Sequence, residues 1–203
     1  MSKLILFDFD GTLTKKDSFP LFIRFSCGSV NYLIGFSIHS FSILLYKLGI
    51  ISGEKLKQSV MSWFFKGSSE NELRKNGSSF IDFLLENHFF NPSILQALIN
   101  EVESGNTVAV VSASPDIWIK PFCDKFKVKC ISTKLKFENE TFTGLFETAN
   151  CAGIEKARRI RSVYDLSEFK EIIAYGNSKD DLEMLGLAQI KNWINAKGEI
   201  TNT

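Results

Sequence analysis

Asp8 and Asp10 stand two residues apart in Asp8-Phe9-Asp10-Gly11-Thr12-Leu13-Thr14, directly after the apolar run Leu4–Phe7. Two carboxylates held this close repel each other, and no basic residue lies inside the segment. A hard divalent cation such as Mg²⁺ prefers oxygen ligands and would relieve the repulsion. Gly11 lets backbone amides approach an anion closely. The plainer reading of the same residues is a solvated acidic pair at a strand-to-turn junction.

Three further clusters carry polar chemistry. In Val111-Ser112-Ala113-Ser114-Pro115, Ser112 sits just past an apolar run, while Ser114-Pro115 reads as a helix N-cap followed by a first-turn proline. A helix opening there would offer free amides and a favourable dipole to a phosphate. Lys156 follows Cys151-Ala152-Gly153-Ile154-Glu155, and the nearby Arg158, Arg159 and Arg161 read as a solvated helix face. The last cluster is Gly176-Asn177-Ser178-Lys179-Asp180-Asp181, where Asn177 or Ser178 would cap a helix and the acids would favour its dipole. His39 and His88 have no Ser or Cys nucleophile paired with them in any recognisable pattern and read as structural or surface residues.

These clusters terminate apolar runs that need buried positions. Leu4–Phe7, Thr107–Val111 and Glu171–Tyr175 are continuous apolar or β-branched stretches, as parallel strands covered on both faces are. Shorter β-rich pieces lie at Val128–Ile131 and Ile190–Ile194. Helical patterns intervene at Pro92–Glu103, Pro115–Phe126, Gly153–Tyr164 and Asp180–Leu187. This alternation predicts an α/β fold with a doubly wound, Rossmann-like parallel sheet, whose strand ends gather the active site. Lys134–Phe146 reads instead as a small β-hairpin with Glu138-Asn139-Glu140 at its tip.

Residues 16–90 interrupt the alternation with a helical pattern, so the expected organisation is a core of residues 1–15 and 91–203 with an inserted helical cap of 16–90. The insertion holds 11 of the 19 Phe, and Ile34, Ile38, Phe41, Leu45 and Leu48 recur at helical spacing. From Ser18 to Gly53 there is no Asp or Glu, and Arg24 and Lys47 are the only fixed charges. Three readings of this stretch stand open: a cap helix packed on its neighbours, a helix lying on a membrane surface, and a membrane span.

The whole chain has 203 residues, 44% of them hydrophobic and 23% charged, with a formal net charge of +1. That suits one domain, or one with a sizeable insertion, and excludes wholesale disorder, collagen-like and solenoid architectures. Near-neutral charge argues against a nucleic-acid partner. Cys27, Cys123, Cys130 and Cys151 form no CxxC pair, which argues against a zinc site. Free thiols, with an N-terminal apolar run too short for a secretion signal, lead us to expect a cytoplasmic protein.

The segment Asp8–Thr14 matches the DxDGT[LV]T signature of the haloacid-dehalogenase-like phosphatase superfamily, and the other three clusters follow in that superfamily's order between Ser112 and Leu185. The helical insertion after the first motif resembles the phosphoserine-phosphatase-like branch with its cap. The resemblance implies Asp8 as nucleophile forming an aspartyl-phosphate and Asp10 as general acid and base. It implies Gly11, Thr12, Ser112, Ala113 and Lys156 as phosphate-binding residues, and Mg²⁺ held by Asp8, Asp10, Asn177 and Asp181. Asp180 falls at a variable position lining the site. Asn177 departs from the pattern, since an acid is usual there; an amide oxygen can coordinate Mg²⁺ but brings no charge.

The resemblance also implies a phosphomonoester substrate, selected by the cap. The apolar insertion, with Trp63-Phe64-Phe65-Lys66-Gly67 at its far end, is similar in layout to bacterial phosphatidylglycerophosphatases of the superfamily. A lipid phosphate and a peripheral membrane contact through the cap follow as expectations. Phosphoserine or another small soluble ester, and a non-catalytic phosphatase-like binding module, stay open beside them; the oligomeric state is not legible.

Overall fold

The computed structural model describes residues 2–202. Its centre is β1 (Leu4–Phe7), flanked in parallel by β2 (Thr107–Pro115) on one side and, on the other, by β6 (Ile172–Gly176), numbered in chain order after β3–β5. The strand β3 (Lys129–Thr133) pairs with β2, and β7 (Ile190–Ile194) with β6, both in parallel. A short antiparallel β8 (Ile200–Asn202), absent from the sequence reading, closes the edge beyond β7. The six-stranded order β3-β2-β1-β6-β7-β8 is the expected doubly wound sheet. Its winding reverses between β1 and β6, the crevice where such sheets bind ligands at their carboxyl ends.

Side-chain alternation along β1 divides the core. Leu4 and Leu6 pack with Val111, Ile131, Ile160 and Met184 on one face. Ile5 and Phe7 face the other way, into the larger cluster that includes Phe22, Phe80, Trp118 and Phe122. Helices α5 (Pro92–Glu103), α6 (Asp116–Phe126), α7 (Ile154–Val163) and the single turn α8 (Leu182–Leu185) connect the strands, following α1–α4 of the insertion. The hairpin is β4 (Leu135–Glu138) with β5 (Thr141–Phe146), and Asn139 and Glu140 at its tip both have positive φ.

The insertion between β1 and α5 is helical as expected: α1 (Ser18–Ile38), α2 (Ser40–Lys47), α3 (Gly53–Phe65) and α4 (Glu70–Glu86). Phenylalanine ties it to the sheet layer. Phe22 of α1 stacks on Trp118 of α6 at 4.5 Å and meets Phe80 of α4 edge-on at 5.4 Å. Phe9, Phe90 and Phe122 continue the same aromatic seam. Rings paired this way contribute roughly 0.5–1.5 kcal/mol each beyond the area they bury.

The long apolar stripe does not pack. The α1 helix breaks at Gly28, and the chain turns again at His39, so the stripe is not one straight ridge. Ile34, Ile38, Phe41 and Leu48 are exposed, so the insertion packs on its neighbours through its other face, where Tyr32 and Phe36 lie against the core, and this stripe is left outside. His39 itself is buried, with Nδ1 2.9 Å from the Gly35 carbonyl oxygen, and is structural as expected.

Candidate active site

The carboxyl ends of β1, β2 and β6 converge, and the Asp8 amide donates to the Tyr175 carbonyl at 2.9 Å across the switch point. From α7, Lys156 reaches into this junction. Its Nζ donates to Asp8 Oδ1 and to Asp181 Oδ1, each at 2.6 Å, and all three side chains are buried. The other Asp181 oxygen, Oδ2, accepts from the Asn177 amide and from the amide and hydroxyl of Ser178. Asp181 is thus saturated within the loop after β6, and Ser178 caps the short turn Lys179–Asp181 as expected, in a capping box with Asp181.

Asp8 is less fully served: its Oδ2 is buried without a hydrogen-bond partner. The Asp8 carboxyl is raised to about 7, chiefly by burial, with Lys156 opposing the rise and the nearby Asp181 and Asp10 adding to it. Burial works against the Lys156 charge, but the two carboxylates outweigh it and hold the ammonium well above its ordinary value. Asp181 is held low despite its burial, because Lys156 and the Ser178 and Asn177 donors favour its charged form. The junction therefore carries more acidic than basic groups, and one buried carboxylate oxygen has no hydrogen-bond partner.

Asp10 is clamped by the insertion and by β2. Its Oδ1 accepts from the Ser18 amide at 2.7 Å, and its Oδ2 accepts from the Ser114 hydroxyl at 2.5 Å. Ser18 Oγ lies 3.5 Å from Ser114 Oγ and accepts from Trp118 Nε1 at 3.0 Å. Ser114 is therefore not the N-cap that its sequence suggested. The strand β2 runs on through a register shift between Ser112 and Pro115, and α6 begins only at Asp116.

A cavity of about 220 Å³ is lined by Asp8, Asp10, Ala113, Lys156 and Asp181, five of the residues expected from the sequence. Asp180 also lines it, as do Asp17, Tyr46, Gly53, Lys57, Asn150 and Ser178, which the sequence reading did not place there. Only Asp17 gave a local signal, as the acid that opens α1; its Oδ1 accepts from the Phe19 amide at 2.9 Å. The other candidates stand aside from this cavity. Gly11 and Asn177 border an adjoining, wider one together with Asp10. Thr12 is buried, with its hydroxyl donating to Asn177 Oδ1 at 3.2 Å. Ser112 is buried, with Oγ accepting from the Ser114 amide at 3.0 Å. Gly11 has φ +80°, and a Cβ there would lie 2.2 Å from Asn177 Nδ2, so both backbone and space require glycine.

Two neighbours of Lys156 behave differently from each other. Arg158 lies on the surface against Glu155, as read. Arg159 is largely covered: it pairs with Glu155 at 2.7 Å and donates to the Ser132 and Ala149 carbonyls, pinning α7 to β3. Among the described residues no three His, Cys, Asp or Glu side chains surround a common point. The free Asp8 oxygen and the excess of acidic groups are nevertheless what a hard cation would satisfy, and Asn177 Oδ1 adds a neutral oxygen close to the same strand ends.

Other proteins are similar to this chain in sequence or in fold. Protein CicA of Caulobacter vibrioides is 29% identical over 203 residues, spanning 97% of this chain and 87% of that protein. A crystal structure of a protein of unknown function from Bordetella pertussis Tohama I superposes with a TM-score of 0.82 at 19% identity, over 94% of this chain and 89% of that one. A substrate-bound phosphoserine phosphatase superposes at 0.66 with 18% identity, over 94% and 85%. At such identities the two structures speak for the fold alone. The sequence itself matches the haloacid dehalogenase-like hydrolase family from residue 5 to residue 186, nearly its whole length and with all four polar clusters inside, and the chain belongs to that family.

Proposed function

We propose that this protein is a Mg²⁺-dependent phosphomonoester phosphatase that works through an aspartyl-phosphate on Asp8. The observation that carries the reading is the Asp8 carboxylate itself: on a side chain that lines the cavity, buried, held through Oδ1 by Lys156, and with Oδ2 lacking any hydrogen-bond partner. A carboxylate nucleophile divides a difficult hydrolysis into two easier transfers. Oδ2 attacks the phosphorus, the ester oxygen leaves, and Asp10 donates a proton to it. In the second step Asp10 removes a proton from water, which attacks the phosphoryl group and restores Asp8. The Ser18 and Ser114 bonds hold Asp10 in one orientation for both transfers. Lys156 favours the ionised form of Asp8 against its burial and stays fixed between Asp8 and Asp181.

The metal would be held by Asp8 and Asn177, with Asp10 and Asp181 beside it, and when bound it offsets charge on the phosphoryl oxygens. Asp181 contributes mainly by positioning Lys156 and the loop, since both its oxygens are engaged.

The substrate we propose is a lipid phosphomonoester. A cavity of about 220 Å³ takes a head group and no more. Its wall includes Tyr46 of α2, and Leu44 and Leu48 two residues to either side are exposed, so an acyl chain has an apolar surface to follow. A second reading, a small amino-acid phosphate such as phosphoserine, is favoured by one observation: Asp17 and Lys57 bring an acid and a base to the same cavity. The two separate in a phosphate-release assay with Mg²⁺. The lipid reading expects higher kcat/KM on lysophosphatidate or phosphatidylglycerophosphate in micelles than on phosphoserine or sugar phosphates; the reverse order overturns it. Phosphate release from no ester, or equal release by an Asp8→Asn variant, overturns the phosphatase reading altogether.

A further inference from the structure

The exposed apolar side chains of the insertion are not scattered. Val30, Leu33, Ile38, Phe41, Leu48 and Ile50 are each between 58% and 71% exposed, all within 21 residues of chain. Isolated surface hydrophobes need no explanation, but a contiguous group of this size marks an interaction face. The fold holds that face in place. A Cβ on Gly35 would lie 2.2 Å from Phe64 Cζ, so the second half of α1 lies directly against α3.

The charge pattern selects the partner. Ser18–Gly53 contains no acid, and its fixed charges, Arg24 and Lys47, are both positive. Lys55 follows, exposed, on α3, whereas Glu54 is turned inward, accepting from the Asn150 amide. Trp63 and Tyr46, both about half exposed, flank the apolar group with one polar end each. Apolar residues bordered by amphipathic aromatics and cations match the layers of an anionic bilayer surface. A protein partner would instead call for a rim of both signs. Although Ser18–Ile38 is long and apolar enough to cross a membrane by composition, the break at Gly28 and the turn at His39 fold it into two short limbs.

We infer that the segment Val30–Ile50 docks the protein on anionic lipid bilayers, its apolar side chains entering one leaflet. This inference deepens the lipid-phosphate reading and rests on it for its purpose. Tyr46 belongs both to the docking segment and to the wall of the Asp8 cavity, so a docked molecule opens its site at the level of lipid head groups.

The test uses the full chain, with Asp8→Asn alongside so that binding is read without turnover. Both proteins should float with vesicles of phosphatidylcholine containing about 30 mol% phosphatidylglycerol, and far less with phosphatidylcholine alone. A Leu33→Glu/Phe41→Glu/Leu48→Glu variant should lose more than about tenfold of the bound fraction, because charge is costly in the apolar layer. It should still hydrolyse soluble p-nitrophenyl phosphate as the wild type does, which shows that it folds. The inference is overturned by wild type that does not float, or by a triple variant that floats equally. It is also overturned by flotation that survives alkaline carbonate, which means a span, or by a wild-type dimer that the triple variant dissociates. Flotation without preference for lipid esters would leave docking standing and sink only the substrate reading.

Discussion

Replacing Lys156 by Met removes the one ammonium between Asp8 and Asp181 while keeping much of the side-chain volume. In the native protein both N–O distances are 2.6 Å, and none of the three side chains is more than 7% exposed. Deleting one partner of a buried pair costs on the order of 3–5 kcal/mol, because a charge is left without compensation. Here two carboxylates lose the same partner, so a loss of about 5 kcal/mol is expected at pH 8. Without Lys156, burial and mutual repulsion act unopposed, and both carboxyls bind protons more tightly in the folded state. An acid raised on folding stabilises the fold below its unfolded value of 3.8, and that contribution is lost as pH rises through the folded value. In the wild type Asp8 already titrates near 7, while Asp181 is lowered, so its contribution is constant from pH 8 to pH 5 and fades only below its unfolded value of 3.8. The gap between wild type and variant should therefore shrink from pH 8 to pH 5. Urea unfolding followed by circular dichroism at both pH values measures it, and adding Asp8→Asn should restore about half the loss at pH 8. A loss under about 1 kcal/mol at pH 8, or the same loss at both pH values, would refute the reasoning.

Other perturbations have defined outcomes. Ser114→Ala leaves Asp10 Oδ2 without its 2.5 Å donor and should lower kcat by about 10–100-fold with little change in KM, in steady-state assays with a soluble ester. Asn177→Asp adds a charge beside the strand ends and should shift the Mg²⁺ activation curve to lower concentration by about threefold or more; superimposable curves would count against metal binding at this loop. Glu155 is held down to about 2 by Arg158 and Arg159, so its contribution to stability is present above the unfolded value of 4.5 and lost as pH falls toward 2. Glu155→Gln should cost about 1 kcal/mol at pH 7, after allowance for solvent screening, and nothing at pH 2, by thermal melts.

The strands that carry the site were legible because a parallel strand covered on both faces needs an unbroken apolar run, as Leu4–Phe7 and Thr107–Val111 supply. The convergence of Asp8, Lys156 and Asp181 was legible only through the resemblance of their clusters to the superfamily's ordered motifs, and the structure brings them within 2.6 Å contacts. What escaped depends on tertiary folding. The same hydroxyl can cap a helix or bind an acid, and only the continuation of β2 to Pro115 gives Ser114 to Asp10. Arg159 looks like any helix-surface cation until the Ser132 and Ala149 carbonyls arrive from distant parts of the chain. Tyr46 and Lys57 reach the cavity only because the insertion folds back over the strand ends, a long-range placement with no local pattern. The break between α1 and α2 at His39 involves neither Pro nor Gly, so helical spacing alone carried the stripe across it.

The central claim is that the Asp8 carboxylate takes up the phosphoryl group. Rapid acid quenching during turnover with Mg²⁺, followed by peptide mass spectrometry, reads this directly. One phosphoryl group should appear on the peptide containing Asp8 and be absent from the Asp8→Asn protein. A quenched enzyme that is turning over substrate yet carries its phosphoryl group on another residue, or on none, would contradict the mechanism.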